Sequence, residues 1–421
     1  MIQPKDSMPV LKNTRHATPV RLCQGCGLPI LSIHPTAGNN AYCPRCGTQQ
    51  SRGGSPSLSG NLAIALTCLL LFIPAYSFPF IHIHLLGVNF HGSIVDGASC
   101  LIEAGYFPLG VLVFFCSVVA PITLCLALVL CHISLHKHWF IGLRIGTSLI
   151  RRLKTWTMID VFLVSILVAC IKLSDISDIS VGPALYALIG LQILCILLIT
   201  RVSLRRYWEL WRPEVSFEHQ HKHIHCNHCH LSQPEGSHCQ RCHHTLHVRK
   251  PRSIERTSAY LMAATVALIP ANILPISILL TNGQRLEDTI FSGVISLLNS
   301  QMVSIAIIIF VASIVVPIAK IVGLGYILYG IRFQTGNRVR QMKIYQIIKV
   351  IGKWSMLDLF VISIMLTLVD RGQILNFVPG NGAIAFGLVV FLTLLATESL
   401  DPRLIWDSTN EESAICRSAD E

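Results

Sequence analysis

Long apolar blocks alternate with short polar connections along this chain. A helix of roughly 20 apolar residues crosses the roughly 30 Å hydrocarbon core of a bilayer. Eight blocks reach about this length, which predicts a mostly α-helical, polytopic membrane protein. The predicted spans are residues 60–81, 107–131, 155–173, 182–200, 258–280, 302–329, 354–370 and 380–399.

Composition agrees with this prediction. Of the 421 residues, 52% are hydrophobic and only 13% are charged, and the mean hydropathy is +0.58. These values exclude a water-soluble globular protein. The formal charge of +11 could indicate a nucleic-acid partner, but the basic residues lie between the apolar blocks and form no single patch. We therefore expect membrane phospholipid around the chain and no nucleic acid.

The basic residues also predict the orientation of the spans. Five lie in the connection 132–155, six in the connection 330–353 and ten in the polar centre of the chain. The connections on the other side hold only Arg285 and Arg371. Since Lys and Arg concentrate on the cytoplasmic side, both termini and both cysteine-rich regions are expected in the cytoplasm. The first residues are polar, so no cleaved signal peptide is expected.

The two halves of the chain repeat one sequence pattern. Ile73-Pro74-Ala75 matches Ile269-Pro270-Ala271 at a spacing of 196 residues, and the segment 156–162 matches the segment 354–360 at a spacing of 198. Ordered matches at nearly one spacing indicate an internal repeat. Four spans per half is an even number, so the second half re-enters the membrane in the same orientation. The repeats are therefore predicted to be parallel.

Paired prolines interrupt the first span of each half, Pro74 with Pro79 and Pro270 with Pro275. A proline inside a helix removes a backbone hydrogen bond, which is costly in hydrocarbon. The pattern indicates either a tolerated kink or a broken helix that borders a cavity.

Four CxxC pairs form two groups. A CxxC turn presents two thiolates to one ion, and two turns complete a tetrahedral site with Zn–S distances of about 2.3 Å. We predict two structural four-cysteine zinc sites, each in a small zinc ribbon. Their ligands are Cys23, Cys26, Cys43 and Cys46 in the first and Cys226, Cys229, Cys239 and Cys242 in the second. A thiol-redox role is the alternative, although a redox CxxC usually stands alone in a thioredoxin-like setting.

The second ribbon is rich in histidine, and nine residues separate its CxxC pairs where sixteen separate those of the first. One interpretation is a polar loop around a zinc site. The other is metal sensing or zinc relay, because imidazole binds such ions. The histidines are His219, His221, His223, His225, His228, His230, His238, His243, His244 and His247.

These patterns together predict the order of domains. It is a zinc ribbon at 1–57, a four-helix transmembrane module at 58–206, a second, His-rich zinc ribbon at 207–252, a second four-helix transmembrane module at 253–406 and a cytoplasmic tail at 407–421.

Polar residues inside the apolar blocks are candidate functional groups. Lys320 lies well inside the sixth span, where an unpaired lysine is costly. Asp358 offers an ionic partner at a similar depth, with Ser355 on the same helical face. Ser313 projects to the same face as Lys320, and Thr393 completes what we call the polar seam. The alternatives are that Lys320 snorkels to the cytoplasmic surface or that the seam is purely structural.

The first half lacks this lysine. The position that matches Lys320 is Leu124, and the position that matches Thr393 is Cys195, although the acid has a counterpart in Asp160. A charge-dependent transport site is therefore predicted in the second half. The first half is predicted to be a scaffold or a docking surface.

Several segments closely resemble the paraquat-inducible protein A (PqiA/LetA) family, and the similarity covers nearly the whole chain. The segments are the two CxxC ribbons, IPANILPIS (269–277), NGQRLEDTIFSG (282–293), KWSMLDLFVIS (353–363) and SLDPRLIWD (399–407). The resemblance implies an inner-membrane component of an intermembrane phospholipid transport pathway that maintains envelope integrity. Its implied partner is an MCE-type, LetB-like periplasm-spanning tunnel protein. The resemblance also implies that Lys320 and Asp358 matter for transport.

Other classes of function are less consistent with the sequence. No GxxxxGK[ST] motif is present, so ATP hydrolysis by this chain is not expected, and we expect no enzyme activity. The alternatives are a membrane redox protein that uses quinone or thiols and a zinc-responsive membrane scaffold. The connections 82–106 and 281–301 are the best candidates for docking the partner, because only they project substantially to the periplasmic side.

Overall fold

The computed structural model describes residues 20–31, 36, 39–54, 57–85, 88–173, 178–212, 223–281, 284–299, 301, 303–369 and 375–407. The predicted tail beyond residue 407, and His219 and His221 of the histidine tract, lie outside the described residues.

The N-terminal cysteine region consists of two hairpins. Strands β1 (Val20–Leu22) and β2 (Pro29–Leu31) form the first, and β3 (Asn40–Tyr42) and β4 (Gln49–Arg52) form the second. A CxxC turn lies at the tip of each hairpin. Gly27 and Gly47 follow these turns with φ of +76° and +67°, a backbone conformation that favours glycine.

Helices dominate the first half, with a small sheet at one end. Its elements are α1 (Leu58–Ser77), β5 (Ile81–Leu85), β6 (Val88–Gly92), α2 (Ile94–Glu103), α3 (Phe107–His136), α4 (Phe140–Trp156), α5 (Ile159–Leu173), β7 (Asp178–Val181), α6 (Pro183–Arg201) and α7 (Leu204–Trp211). Within α3, the segment Phe115–Val119 is a π-helical turn.

The second cysteine region and the second half follow the same order. Their elements are β8 (His223–His225), β9 (Ser232–Pro234), α8 (Ser253–Ile273), β10 (Ser277–Thr281), β11 (Gln284–Asp288), α9 (Ile290–Asn299), α10 (Val303–Phe310, the π turn Val311–Val315, and Val316–Phe333), α11 (Arg338–Ile351), α12 (Leu357–Val369), β12 (Leu375–Pro379) and α13 (Asn381–Ser399). The mostly helical, two-repeat fold predicted from the sequence is confirmed.

The repeat extends to the register of the strands. The sheets have the orders β6-β5-β7 and β11-β10-β12. His82 of β5 pairs with Ser180 of β7, and Ile278 of β10 pairs with Val378 of β12. Residues 82 and 278 are 196 apart, and residues 180 and 378 are 198 apart, which are the spacings of the sequence repeat. The connections predicted at the periplasmic side therefore contain hairpins and the short helices α2 and α9.

Six described helical segments are long and apolar enough to cross a membrane. They are Leu58–Ser77, Phe107–His136, Phe140–Ile171, Pro183–Arg201, Ala306–Phe333 and Asn381–Ser399, and each overlaps a predicted span. The other two predicted spans coincide with α8 and α12, which take the places of α1 and α5 in the second half. Helix α8 begins with polar residues and α12 has 13 residues. That these two helices also cross the membrane stays a prediction.

Two predicted spans extend too far at their C-terminal ends. Helix α1 ends at Ser77 and not at the predicted residue 81, and α8 ends at Ile273 and not at the predicted residue 280. The second proline of each pair follows these ends and cannot continue the helix. Residues 277–280 belong to strand β10. Hydropathy alone does not separate an apolar strand from the end of a helix.

The two halves meet along α5 and α12. The rings of Phe162 and Phe360 contact each other edge to face, with centroids 5.5 Å apart and planes at 89°. The Ser165 hydroxyl donates to the Leu357 carbonyl at 3.1 Å. Since Phe162 and Phe360 are equivalent in the repeat, a pseudo-two-fold axis passes between them. This is the arrangement expected of parallel repeats.

The cysteine regions pack against the opposite halves. The first, which precedes α1 in sequence, shares an apolar core with Met342 and Tyr345 of α11 in the second half. The second contacts the first half, where the ring of His243 lies 5.7 Å from the ring of Phe140 at the start of α4. Each ribbon therefore precedes one bundle in sequence and packs on the other. The order of motifs in the sequence does not predict this exchange.

Candidate functional site

Lys320 lies near the middle of α10 with only 1% of its surface exposed. The helix around it is apolar and belongs to a segment long enough to cross a membrane. An ammonium group in such surroundings requires hydrogen-bond partners, because burial removes the water that would otherwise solvate it.

Two hydroxyl groups accept hydrogen bonds from the Lys320 amine. Its Nζ atom lies 2.7 Å from Ser355 Oγ and 3.1 Å from Thr393 Oγ1. Ser355 belongs to the 3-10 turn Gly352–Met356 that joins α11 to α12, and Thr393 belongs to α13. Gly352 lies beside the amine, where a Cβ atom would make ordinary contacts with Lys320 at 3.4 Å to Cε and 4.0 Å to Nζ. The structure thus brings three of the five predicted seam residues together from three elements.

Ser313 lies in the π turn of α10, two helical turns before the lysine. Pro317 cannot donate a hydrogen bond to the carbonyl four residues earlier, which is that of Ser313, and a π turn tolerates such a gap. The Ser313 hydroxyl is buried and has no hydrogen-bond partner among the residues that the structure describes. An unsatisfied buried hydroxyl costs about 1–3 kcal/mol. It leaves one polar atom of the seam available to a further group.

Asp358 lies almost one helical turn after Ser355, at the start of α12, and is 8% exposed. In the described part of the chain, the hydrogen bonds of Lys320 go to the two neutral hydroxyl groups. A charge pair between Lys320 and Asp358 therefore stays a prediction.

The equivalent place in the first half is apolar. Leu124 stands at the position of Lys320 and is 2% exposed, and Cys195 stands buried at the position of Thr393. The first half therefore buries hydrocarbon and a thiol where the second half buries an amine and a hydroxyl.

In the π turn of the first half, the hydroxyl and carbonyl groups of Ser117 both have hydrogen-bond partners. In the second half, the hydroxyl of the equivalent Ser313 has none among the described residues. The Ser117 hydroxyl donates to the Val113 carbonyl at 2.7 Å. The Ser117 carbonyl, which Pro121 deprives of a helical donor, accepts a hydrogen bond from the hydroxyl of Tyr76. In the second half Asn272 replaces Tyr76 and donates instead to Leu268 of its own helix.

Four sulfur atoms converge in the first cysteine cluster, all within 4.8 Å of one another. The Sγ atoms of Cys23 and Cys46 are 3.4 Å apart, and those of Cys26 and Cys43 are 3.6 Å apart. A tetrahedral ion with metal–sulfur distances of about 2.3 Å would place them about 3.8 Å apart. The donor set fits one four-coordinate metal ion.

The second cluster has the same geometry despite its shorter gap. The Sγ atoms of Cys226 and Cys242 are 3.6 Å apart, and those of Cys229 and Cys239 are 3.4 Å apart. All four residues are fully buried. The predicted pairs of CxxC turns are therefore brought together in both regions as two four-cysteine sites able to hold a metal ion.

Hydrogen bonds favour the thiolate form of one cysteine of the first cluster, Cys23, whereas burial raises the pKa of Cys46 to about 11. Gly25 N–H donates to Cys23 Sγ at 3.3 Å, and the Gln50 amide donates to the same sulfur at 3.0 Å. The pKa of Cys23 is lowered to about 5, chiefly by a hydrogen bond from the Cys26 thiol. A coordinating cysteine must be deprotonated, so this environment suits a ligand.

The two metal-ligand clusters found in the described part of the chain contain cysteines only, so the described histidines of the second ribbon are not among their members. Nε2 of His225 lies 3.2 Å from Nδ1 of His230, which also lies 2.9 Å from the side-chain amide of Gln24 in the first ribbon. Burial lowers the pKa of His225 well below its usual value. These rings therefore help to join the two ribbons.

Arg403, which follows α13, connects one CxxC turn of the first ribbon to one CxxC turn of the second. Its side chain is buried and donates to the Gln24 carbonyl at 3.4 Å and to the Asn227 side chain at 2.9 Å. Gln24 and Asn227 each lie between the two cysteines of a CxxC turn. Arg151 of α4 donates to the carbonyl of Asn227 at 2.6 Å. The hydrophobic pattern does not predict these arginines, although Arg403 lies in the segment 399–407 that carries the family resemblance.

Comparison with known proteins gives consistent matches across the chain. The pattern of the family described as Paraquat-inducible protein A matches residues 58–212 and 254–410. The chain is 38% identical over 398 residues to the "Lipophilic envelope-spanning tunnel protein A" of Escherichia coli K12, covering 92% of this chain and 90% of that protein. It is 34% identical over 387 residues to a "Probable intermembrane transport protein" of Haemophilus influenzae, covering 89% and 92%.

A third relative is the "Intermembrane transport protein PqiA" of Escherichia coli K12, which is 29% identical over 416 residues, covering 94% of this chain and 99% of that protein. No solved structure matches the chain. The two matched segments coincide with the two helical halves and, with the near full-length relatives, show that this chain belongs to the paraquat-inducible protein A family of multi-pass membrane proteins.

Proposed function

We propose that this protein is the inner-membrane component of an intermembrane phospholipid transport pathway that maintains the envelope barrier. It passes lipid to or from an MCE-type tunnel protein of the LetB kind. Two relatives have names that describe intermembrane transport, and one is named for an envelope-spanning tunnel. The observation that carries the proposal is the buried Lys320 amine, held by two hydroxyl groups inside an otherwise apolar bundle.

The polar seam gives this proposal a chemical basis. A buried ammonium group that is compensated only by neutral hydroxyls retains a strong affinity for an anion. Lys320 therefore either contacts the phosphate of a lipid headgroup or exchanges charge with Asp358 in a proton-coupled step. Ser355 and Thr393 hold the amine in place, and the unsatisfied hydroxyl of Ser313 offers a further hydrogen bond.

The proposed orientation follows from the charges. The end of the bundle that carries both cysteine clusters, here called the cluster end, also carries the basic helices α4 and α11. We assign it to the cytoplasm. The opposite end, which carries the two sheets and is here called the strand end, then faces the periplasm and provides the surface for the tunnel protein.

The two four-cysteine sites are proposed to hold zinc. Four thiolates in tetrahedral geometry are typical of structural zinc. A complete thiolate shell leaves no open position on the ion, so the metal stabilises the ribbons and takes no part in transport. We accordingly place this protein among transport proteins, like its named relatives, and not among enzymes.

A complementation experiment tests the proposal. A strain that lacks this protein and its paralogues is complemented with wild type, Lys320→Ala or Asp358→Ala at matched membrane levels, and detergent resistance is measured. Asp160→Ala is the matched control, because Asp160 is the counterpart of Asp358 in the half that has Leu124 at the position of Lys320. We expect both seam variants to accumulate normally and to fail to restore resistance, whereas Asp160→Ala restores it.

Full restoration by both seam variants would make the seam structural and refute its proposed role. Metal analysis of the purified protein addresses the redox alternative. We expect about two zinc ions per chain, one for each four-cysteine site, without haem or flavin absorbance. A bound redox cofactor would instead favour a membrane redox protein.

A further inference from the structure

A pocket opens at the cluster end of the first half, between α3, α4 and α6. Its enclosed volume is about 50 Å³, and its volume with the open mouth is about 350 Å³. Since one water-sized group needs roughly 10–15 Å³ of such space, the enclosed part has room for roughly four methylene groups. The interior is apolar, and Lys154 lies at the mouth. The residues that define it include Leu124, Leu128, Ile150, Lys154, Leu198 and Val202.

The equivalent residues of the second half, all of which the structure describes, lie in a packed core. The counterparts of Leu128, Ile150, Leu198 and Val202 are buried in a continuous core with the first ribbon and Trp406. They are Leu324, Ile348, Ala396 and Leu400. Because the second ribbon packs elsewhere on the first half, near α7 and the start of α4, the equivalent space there stays open.

The lysine near this region comes from a different sequence position in each half. In the second half the amine comes from Lys320 on α10, and Gly352 lies beside it. In the first half the counterpart of Lys320 is Leu124, and the counterpart of Gly352 is Lys154. Both halves therefore present one amine to the same region of the bundle, buried in the second half and at an open mouth in the first.

The charge around this mouth favours an anion. Lys154 Nζ donates to the Ile199 carbonyl at 3.2 Å, which places the ammonium group beside α6. Arg151, Arg152 and Arg201 lie on the same helices. No Asp or Glu occurs from residue 104 to 159 or from residue 181 to 208, which covers α3, α4 and α6. Helix α7, which contributes Leu204 to the lining, carries Glu209, and this carboxylate pairs with Arg205 of the same helix. An apolar interior with a cationic rim fits an anionic amphiphile.

We propose that this pocket binds an anionic phospholipid, with its phosphate on Lys154 and the first methylene groups of one acyl chain between α3 and α6. The inference rests on the proposed lipid transport in that the bound lipid is cargo. It assigns the cargo's class and a loading position at the cluster end.

Photo-crosslinking of the full-length protein tests the pocket. The protein is reconstituted in phosphatidylcholine nanodiscs with a trace of phosphatidylglycerol that carries a diazirine near the head end of one acyl chain. Phosphatidylcholine with the same diazirine and a diazirine fatty acid are run in parallel. We expect labelling of α3 and α6 by the phosphatidylglycerol probe to exceed that by the phosphatidylcholine probe at least threefold.

Variants connect the labelling to the lysine. We expect Lys154→Gln to lower phosphatidylglycerol labelling at least threefold and Lys154→Arg to retain it. Lys349→Gln, which removes an exposed lysine of α11 in the other half, is the matched control and leaves labelling unchanged. Equal labelling by both phospholipids, labelling by the fatty acid alone, or no effect of Lys154→Gln would overturn the proposal.

The same variants separate this inference from the proposed function. If labelling depends on Lys154 but the wild-type protein restores no envelope barrier, the pocket stands and the transport proposal fails. If the wild-type protein restores the barrier but the labelling depends neither on the lipid headgroup nor on Lys154, the transport proposal stands and the pocket assignment fails.

Discussion

The two halves of the membrane region share one backbone and differ in a few polar residues. Both contain a π turn before a proline, at Phe115–Val119 and at Val311–Val315, and strands in the same register. In the first half the turn is satisfied by Tyr76, and Leu124 fills the bundle. In the second half the turn keeps a hydroxyl without a partner in the described chain, and Lys320 is buried beside it.

This comparison separates what specifies the fold from what specifies chemistry. Apolar patterning and the positions of the prolines are common to both halves, so they are sufficient for the shared backbone. The amine, its hydroxyl partners and the unsatisfied serine occur together in one half only. A buried amine reduces stability unless it is paired, so its presence at a position where the first half has Leu124 indicates a function there.

Loss of a metal ligand should have the largest effect and should reveal the exchange of ribbons between halves. Cys239→Ala removes a ligand of the cluster that packs on the first half, and Cys43→Ala removes one of the cluster that packs on the second. Structural zinc contributes on the order of 10 kcal/mol to small ribbons. Each variant should lose about one metal ion per chain, measured by elemental analysis.

Hydrogen exchange then locates the damage. We expect Cys239→Ala to raise exchange in α4, which Arg151 joins to the second ribbon, and Cys43→Ala to raise exchange in α11, where Gln346 donates to the Cys46 carbonyl. If each variant instead disturbed the half that follows its ribbon in sequence, the exchanged packing would be wrong.

Arg403→Gln should have the next largest effect, because it removes the hydrogen bonds that join a CxxC turn of the first ribbon to one of the second. A hydrogen bond to a charged group contributes about 1.5–3 kcal/mol, and Arg403 makes two of them. We expect a lower thermal unfolding temperature with unchanged metal content, since Arg403 is not a ligand. The matched control is Arg249→Gln, because the ion pair of Arg249 with Asp407 is largely open to solvent. An equal effect of both variants would contradict this role.

Tyr76→Phe tests whether the hydrogen bond from Tyr76 to the Ser117 carbonyl stabilises the first π turn. It leaves the Ser117 carbonyl without the donor seen here, at a cost of about 1–3 kcal/mol. Unfolding in a graded detergent series measures this loss. Tyr186→Phe is the control, because Tyr186 is 70% exposed. No difference between the two variants would show that the hydroxyl of Tyr76 adds nothing to the turn.

Thr393→Cys should have the smallest effect on stability, because it introduces the residue of the first half. A thiol accepts a hydrogen bond weakly, so Lys320 loses most of one of its two hydrogen bonds, worth about 0.5–1.5 kcal/mol. We expect a nearly unchanged unfolding temperature and a partial loss of detergent resistance in complemented cells. Full resistance would show that Ser355 alone is sufficient to hold the amine.

Much of the fold could be predicted from the sequence because its signals are local. The apolar blocks give the helices, the CxxC pairs give the clusters, and the matched motifs give the repeat. The predicted ends of α1 and α8 are wrong because an apolar strand such as Ser277–Thr281 has the hydropathy of a helix end. Lys320, Ser355 and Thr393 could be grouped because charge is rare in apolar blocks.

The remaining features depend on tertiary contacts. Arg403 lies in an ordinary polar turn, and only packing brings it to Gln24 and Asn227. The exchange of ribbons joins residues that are 300 positions apart in sequence, such as Cys46 and Gln346. Gly352 lies next to Lys320 only through tertiary packing, since the two residues are far apart in sequence.

Replacement of Lys320 by the residue of the first half tests the central claim most directly. We would measure phospholipid exchange between inner and outer membranes in cells that carry wild type, Lys320→Leu or Asp160→Ala at matched levels. Removing a buried ammonium group should leave stability unchanged or higher, so Lys320→Leu is predicted to fold and to lose exchange at least tenfold, while Asp160→Ala retains it. Wild-type exchange by a folded Lys320→Leu variant would contradict the account.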